Sequence, residues 1–162
     1  KNFKKNKILS ETAKLHREKK HISRAELKEY NILFIMLNFP QVAQLKIEQL
    51  SEVKFSTAKS EELKNEIIKL LSDDISQNEF KSNFKINFGE SIIEIEKCSN
   101  LTSILEKKND SEKLELLDDH LKELEEMDRM KKIEFLENKI VKNLDENSFS
   151  ELIKLKSQLN RD

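Results

Sequence analysis

A chain of 162 residues with one glycine and one proline has the length of one ordinary domain but lacks the turn residues that tight hairpins require, so sandwiches, barrels and glycine-rich phosphate loops are excluded. Charged residues reach 38%, yet the net charge is only −1, and Leu, Ile, Val and Phe supply 50 positions, more apolar content than a disordered chain carries. The expected fold is all-α: a compact helical bundle followed by a long helix and a C-terminal helical hairpin.

Residues 1–24 hold nine Lys or Arg against two Glu, and Phe3 is the only aromatic there. Nothing organises this charge, so residues 1–22 read as a basic linker or frayed helix. The first defined element begins at Ser23, with Glu26 at the spacing of a capping box. Leu27, Tyr30, Leu33, Phe34 and Leu37 follow at helical intervals. Residues 32–37 are apolar all round, which predicts a central, buried helix end. That run of six is also the longest in the chain, far below the ~20 residues that span a bilayer. Pro40 stops this helix and is placed to open the next, which is expected to carry Val42, Ala43, Leu45, Ile47 and Leu50 on one continuous element. A further helix is expected near 58–72, with Leu63, Ile67, Leu70 and Leu71 on one face. Ser76 and Glu79 form another capping-box pair before Phe80 and Phe84, and a short fifth helix is expected after Gly89, using Ile92, Ile93 and Ile95. These elements make a body at 23–124.

No Gly or Pro interrupts residues 111–144. At ~1.5 Å per residue such a helix is about 51 Å long, more than the ~30 Å of a small domain, so it is expected to extend beyond the body. Its stripe of Leu114, Leu117, Leu121 and Leu124 gives way to charged residues at 125–132, broken only by Met127 and Met130, and resumes at Ile133, Leu136, Ile140 and Leu144. Asp145, Glu146 and Asn147 are expected to turn, with Ser148 and Glu151 capping a last helix striped by Phe149, Leu152, Ile153, Leu155 and Leu159. Residues 125–162 thus form a long-helix extension and hairpin. Its apolar side chains, Phe135 and Val141 included, are too few to hold two isolated helices firmly, so the hairpin is expected to seek a partner. Ile140, Leu144, Phe149, Ile153 and Lys156 are the candidate contact residues.

No catalytic, cofactor-binding or metal-ligating set emerges. Glu18 and His21 match one Glu-x-x-His pair, but di-iron bundles need two such pairs and two further Glu. His16, His120 and the lone Cys98 have no companions at zinc spacing, and a single cysteine suits a reducing compartment. The acids Asp118, Asp119, Glu123, Glu125 and Glu126 read as a solvated face.

Three segments carry a resemblance: the buried helix end Ile35-Met36-Leu37-Asn38-Phe39-Pro40, the long-helix stretch Leu117-Asp118-Asp119-His120-Leu121, and the closing Glu151-Leu152-Ile153-Lys154-Leu155-Lys156. In this order, over about residues 24–160, the chain resembles the C-terminal helicase-binding domain of bacterial DNA primases, with Phe39 standing where many members have His. The resemblance implies a cytoplasmic bacterial protein whose partner is the replicative DNA helicase, met through the N-terminal domains of its ring. It implies no membrane, no small-molecule substrate and no cofactor for this fragment. Catalysis as a DNA-directed RNA polymerase, a nucleotidyltransferase, and any nucleic-acid contact would belong to the parent chain. The alternatives are a helical scaffold or coiled-coil adaptor unrelated to replication, or an RNA-binding module using the basic N-terminal arm.

Overall fold

Six consecutive apolar residues cannot all lie on one side of a helix, so residues 32–37 demand neighbours in every direction. The computed structural model, which describes residues 22–72, 77–99, 101–142 and 145–159, provides them. Helix α1 (Arg24–Asn38) packs against α2 (Pro40–Gln44), α4 (Ala58–Ser72) and α5 (Gln77–Cys98). Every side chain from Ile32 to Leu37 is buried. The predicted capping box is present: the Glu26 N–H donates to Ser23 Oγ at 3.1 Å and the Ser23 N–H donates to Glu26 Oε2 at 2.7 Å. Pro40 opens α2 in the first turn, where its missing N–H costs nothing.

The continuous helix expected after Pro40 is instead two. Lys46 leaves the helical region (φ −122°, ψ 20°) between α2 and α3 (Ile47–Glu52), and its ammonium pairs with Asp118 at 2.8 Å. Leu45 is turned to solvent while Leu50 is fully buried. The loop from α3 to α4 contains neither Gly nor Pro and is held by side chains. The Phe55 N–H donates to Glu61 at 2.8 Å and the Ser56 N–H to the buried Glu29 at 2.5 Å. Lys64, fully buried on α4, donates to the Val53 carbonyl and to Glu61 at 2.9 Å, and lies 5.2 Å from the Phe55 ring centroid. Leu63, Ile67 and Leu71 are buried as expected, and Leu70 is half-buried.

The proposed cap at Ser76 lies outside the described residues. Beyond it, the short helix expected after Gly89 is the second half of α5, which kinks at Phe88 (φ −133°, ψ 28°). Phe84 and Phe88 stack across the kink with centroids 4.9 Å apart. Of the three isoleucines assigned to the core, Ile95 is buried and Ile92 half-buried, but Ile93 is exposed. A short turn of helix, α6 (Thr102–Leu105), precedes α7 (Asp110–Lys142). Asn109 and Glu112 cap α7 reciprocally, at 3.0 and 2.9 Å.

The chain divides into two compact units, Lys1–Leu121 and Lys122–Asp162, and the boundary falls within α7. In the first unit Leu117 and Leu121 are buried, and Lys113 lies over the Phe39 ring at 4.3 Å. The second unit contains the rest of α7 and α8 (Glu146–Leu159). Among the described residues there is no strand, and no helix is long and apolar enough to cross a membrane. The fold is an all-α bundle with a long helix and a C-terminal helix.

Candidate functional site

In the second unit, α7 contributes Ile133 and Leu136 and α8 contributes Leu152 to a small buried cluster, with Ile140 and Leu155 packed against it. These positions recur at three and four residues, one face of each helix. Three ion pairs fix which sides of the helices lie together. Lys139 donates to Asp145 at 3.2 Å and to Ser148 at 2.8 Å, next to the turn. Lys132 meets Glu151 at 3.5 Å, and Lys156 meets Glu137 at 2.7 Å. The last two pairs bracket the apolar cluster, one on each flank.

The turn differs from expectation. Helix α8 begins at Glu146, and Asp145 rather than Ser148 satisfies its first turn. The Phe149 N–H donates to the Asp145 carbonyl at 3.0 Å, and the Asn147 N–H to the Asp145 carboxylate at 3.2 Å. Ser148, buried inside the first turn, donates its hydroxyl proton to Asp145 at 2.6 Å instead of capping toward Glu151. That bond, with the Lys139 ammonium beside it, holds the Asp145 carboxyl below its ordinary range. Aspartate is a strong cap residue, and a cation from the preceding helix favours it further.

Helical spacing then assigns the exposed apolar side chains to flanks. Val141 lies four residues after Glu137, while Ile153 and Phe149 lie three and seven residues before Lys156. All three therefore share the Glu137–Lys156 flank. They are 87%, 54% and 49% exposed respectively. Met130, seven residues before Glu137 and also exposed, continues the row. Phe135 is exposed on the opposite flank, three residues from Lys132 and four from Lys139.

The five candidate residues thus separate. Phe149, Ile153 and Lys156 lie on one exposed flank, Lys156 ion-paired there. Ile140 belongs to the hairpin's internal cluster. Leu144 lies outside the described residues. Val141 and Met130 were not nominated, although their helical spacing to Glu137 is legible; what the sequence lacks is the pairing of Glu137 with Lys156, which defines the flank.

Tyr30 donates to Glu94 at 3.0 Å, and Lys59 pairs with the same carboxylate. The Lys59 hydrogen bond, against burial and with help from Tyr30, lowers the Glu94 pKa, and burial with the adjacent carboxylate raises that of Tyr30. This trio ties α1, α4 and α5 together. His120 is buried, its Nδ1 3.4 Å from Lys28 Nζ, and Cys98 is half-buried as a free thiol. Among the described residues no three His, Cys, Asp or Glu converge as a metal site. A cavity of about 630 Å³ opens between the C-terminal end of α1 and the second half of α5.

Comparison with protein-family models, with curated proteins and with solved structures finds no match.

Proposed function

We propose that this chain is a protein-docking module, the helicase-binding domain of a bacterial DNA primase, and that the Glu137–Lys156 flank of its hairpin is the docking surface. The observation that carries the docking role is the alignment of Val141, Phe149 and Ile153, three large apolar side chains exposed on one flank of a two-helix unit whose own buried cluster is small. Contiguous exposed apolar rows of this kind mark interaction sites, and an aromatic flanked by aliphatic residues is the usual make-up of an interface anchor. The assignment to primase rests on the order of the three quoted segments. In the fold they become a buried helix closed by Pro40, a long α7 and a closing α8. On this reading the polymerase chemistry belongs to the parent chain and this part brings it to the helicase.

The test is a binding titration of the whole chain against a bacterial replicative helicase. Phe149→Ala is expected to weaken binding by ~2 kcal/mol, roughly 30-fold, and Ile153→Asp by at least as much, with helix content unchanged by circular dichroism. A chain that folds but does not bind the helicase leaves the docking surface in place and removes primase as its context.

A further inference from the structure

We propose that the flank of the hairpin opposite the docking row binds single-stranded nucleic acid, with Phe135 stacking on a base and the lysines around it meeting the phosphates. The proposal is independent of which protein meets the other flank. Phe135 is 67% exposed, while Ile133, Leu136 and Ile140 of the same helix turn into the apolar cluster. At about 100° per residue, Lys131, Phe135 and Lys142 lie within about 40° of one another around α7. Lys132 and Lys139 stand on the side toward α8, about 60° and 40° from Phe135, where they meet Glu151 and Asp145. All four lysines are exposed. Asp128 shares their face, so four lysines stand against one acid over residues 128–142. Helix α8 adds the exposed Lys154, three residues after Glu151.

The two flanks differ in charge as well as in apolar surface. On the docking side, Glu134 and Glu137 lie seven and four residues before Val141, so it is the Phe135 flank that complements a polyanion. A membrane surface calls for a row of apolar side chains beneath the lysines, and here that row lies on the other flank. An acidic peptide would draw on the lysines alone. A single strand uses both features, because its phosphates track the positive charge and every base has a face that stacks on an aromatic ring. Lys131 and Lys142 are eleven residues apart, about 16 Å along the helix, over which a strand rising ~3.4 Å per nucleotide places roughly five phosphates.

The test is the fluorescence anisotropy of a labelled oligothymidine of about 15 nucleotides, titrated with the full-length chain from about 50 mM salt upward. Phe135→Ala should weaken binding about tenfold and leave its salt dependence unchanged. Lys131→Gln with Lys142→Gln should weaken binding and make log affinity against log salt shallower by about 1.4, each phosphate contact contributing ~0.7 on a single strand. All three side chains are exposed, so helix content by circular dichroism should not change. The same titration with oligo-uridine distinguishes DNA from RNA, and tight binding of either supports the proposal. No binding at the lowest salt overturns it. So does binding indifferent to both variants, which would place the contact elsewhere, as on the basic residues 1–24. If the lysine pair matters and Phe135→Ala does not, the flank attracts any anion and the proposal fails. Equal displacement of the oligonucleotide by polyglutamate, a polyanion without bases, overturns it too, as does binding only to vesicles of anionic phospholipid.

Discussion

The two units solve the burial problem to different depths. In the first, α1 is surrounded by α2, α4 and α5, and its residues 32–37 are all 6% exposed or less. Even its loop between α3 and α4 is pinned from beneath by Lys64 and Glu29. In the second, the apolar cluster between the two helices has, among the described residues, three buried side chains and two half-buried ones, while Phe135, Val141, Phe149 and Ile153 face solvent. A helix pair gains most of its stability from packing rather than propensity. The first unit therefore has the means to hold its own shape, and the second keeps apolar surface for use elsewhere.

The largest effect expected from this contrast is on the core of the first unit. Ile35→Ala removes a fully buried side chain and should cost ~2–5 kcal/mol, read as a lower midpoint of the main denaturant transition. Leu152→Ala, an equally conservative truncation in the hairpin, should leave that transition within ~0.5 kcal/mol and instead speed hydrogen exchange in α8. If Leu152→Ala lowers the main transition as much as Ile35→Ala, the two units unfold as one and the contrast fails. Lys64→Met keeps the length of the buried stem but loses the bonds to Val53 and Glu61, and should cost ~1.5–3 kcal/mol. Ser23→Ala removes the α1 cap for about 1 kcal/mol.

Much of the first unit could be read from residues close together in the chain. Ser23 with Glu26, the apolar run at 32–37 and Pro40 each act within a turn or two, and each behaves in the fold as local chemistry dictates. What escaped depends on distant partners. The break at Lys46 comes with an ion pair to Asp118, and the burial of Lys64 depends on a carbonyl eleven residues away. The start of α8 offered two competing caps, Asp145 and Ser148, and Lys139 from the preceding helix favours Asp145. The candidate site was half legible for the same reason. Phe149 and Ile153 stand out by composition, whereas Val141 joins them only once Glu137 is paired with Lys156.

Acid sharpens the contrast more gently. Glu94 is held below the ordinary glutamate value of 4.5, chiefly by the Lys59 hydrogen bond. Glu61 is lowered too: burial pushes it up, but the Phe55 N–H and Lys64 outweigh that. A carboxyl with a lowered folded pKa stabilises the native state above its unfolded value, and that contribution is lost as pH falls through the folded one. The first unit should therefore weaken as pH drops below about 4.5, and Glu94→Gln should flatten that slope. Asp145 is lowered from 3.8, so loss of the α8 cap should begin further into acid, visible as declining exchange protection at the start of α8. The smallest effect expected is at Gly89, where a Cβ would meet nothing within 4 Å. Gly89→Ala should raise the main transition by ~0.4–1 kcal/mol, without touching the hairpin.

The division of labour between the units is tested most directly by hydrogen exchange on the whole chain, alone and with a replicative helicase. Alone, amides of residues 32–37 should exchange slowest and those of α8 much faster. With helicase added, new protection should appear on the hairpin, centred on Val141, Phe149 and Ile153, while α1 and α4 stay as they were. Protection gained on the first unit with the hairpin unchanged would contradict the account, as would a free hairpin that already exchanges as slowly as α1.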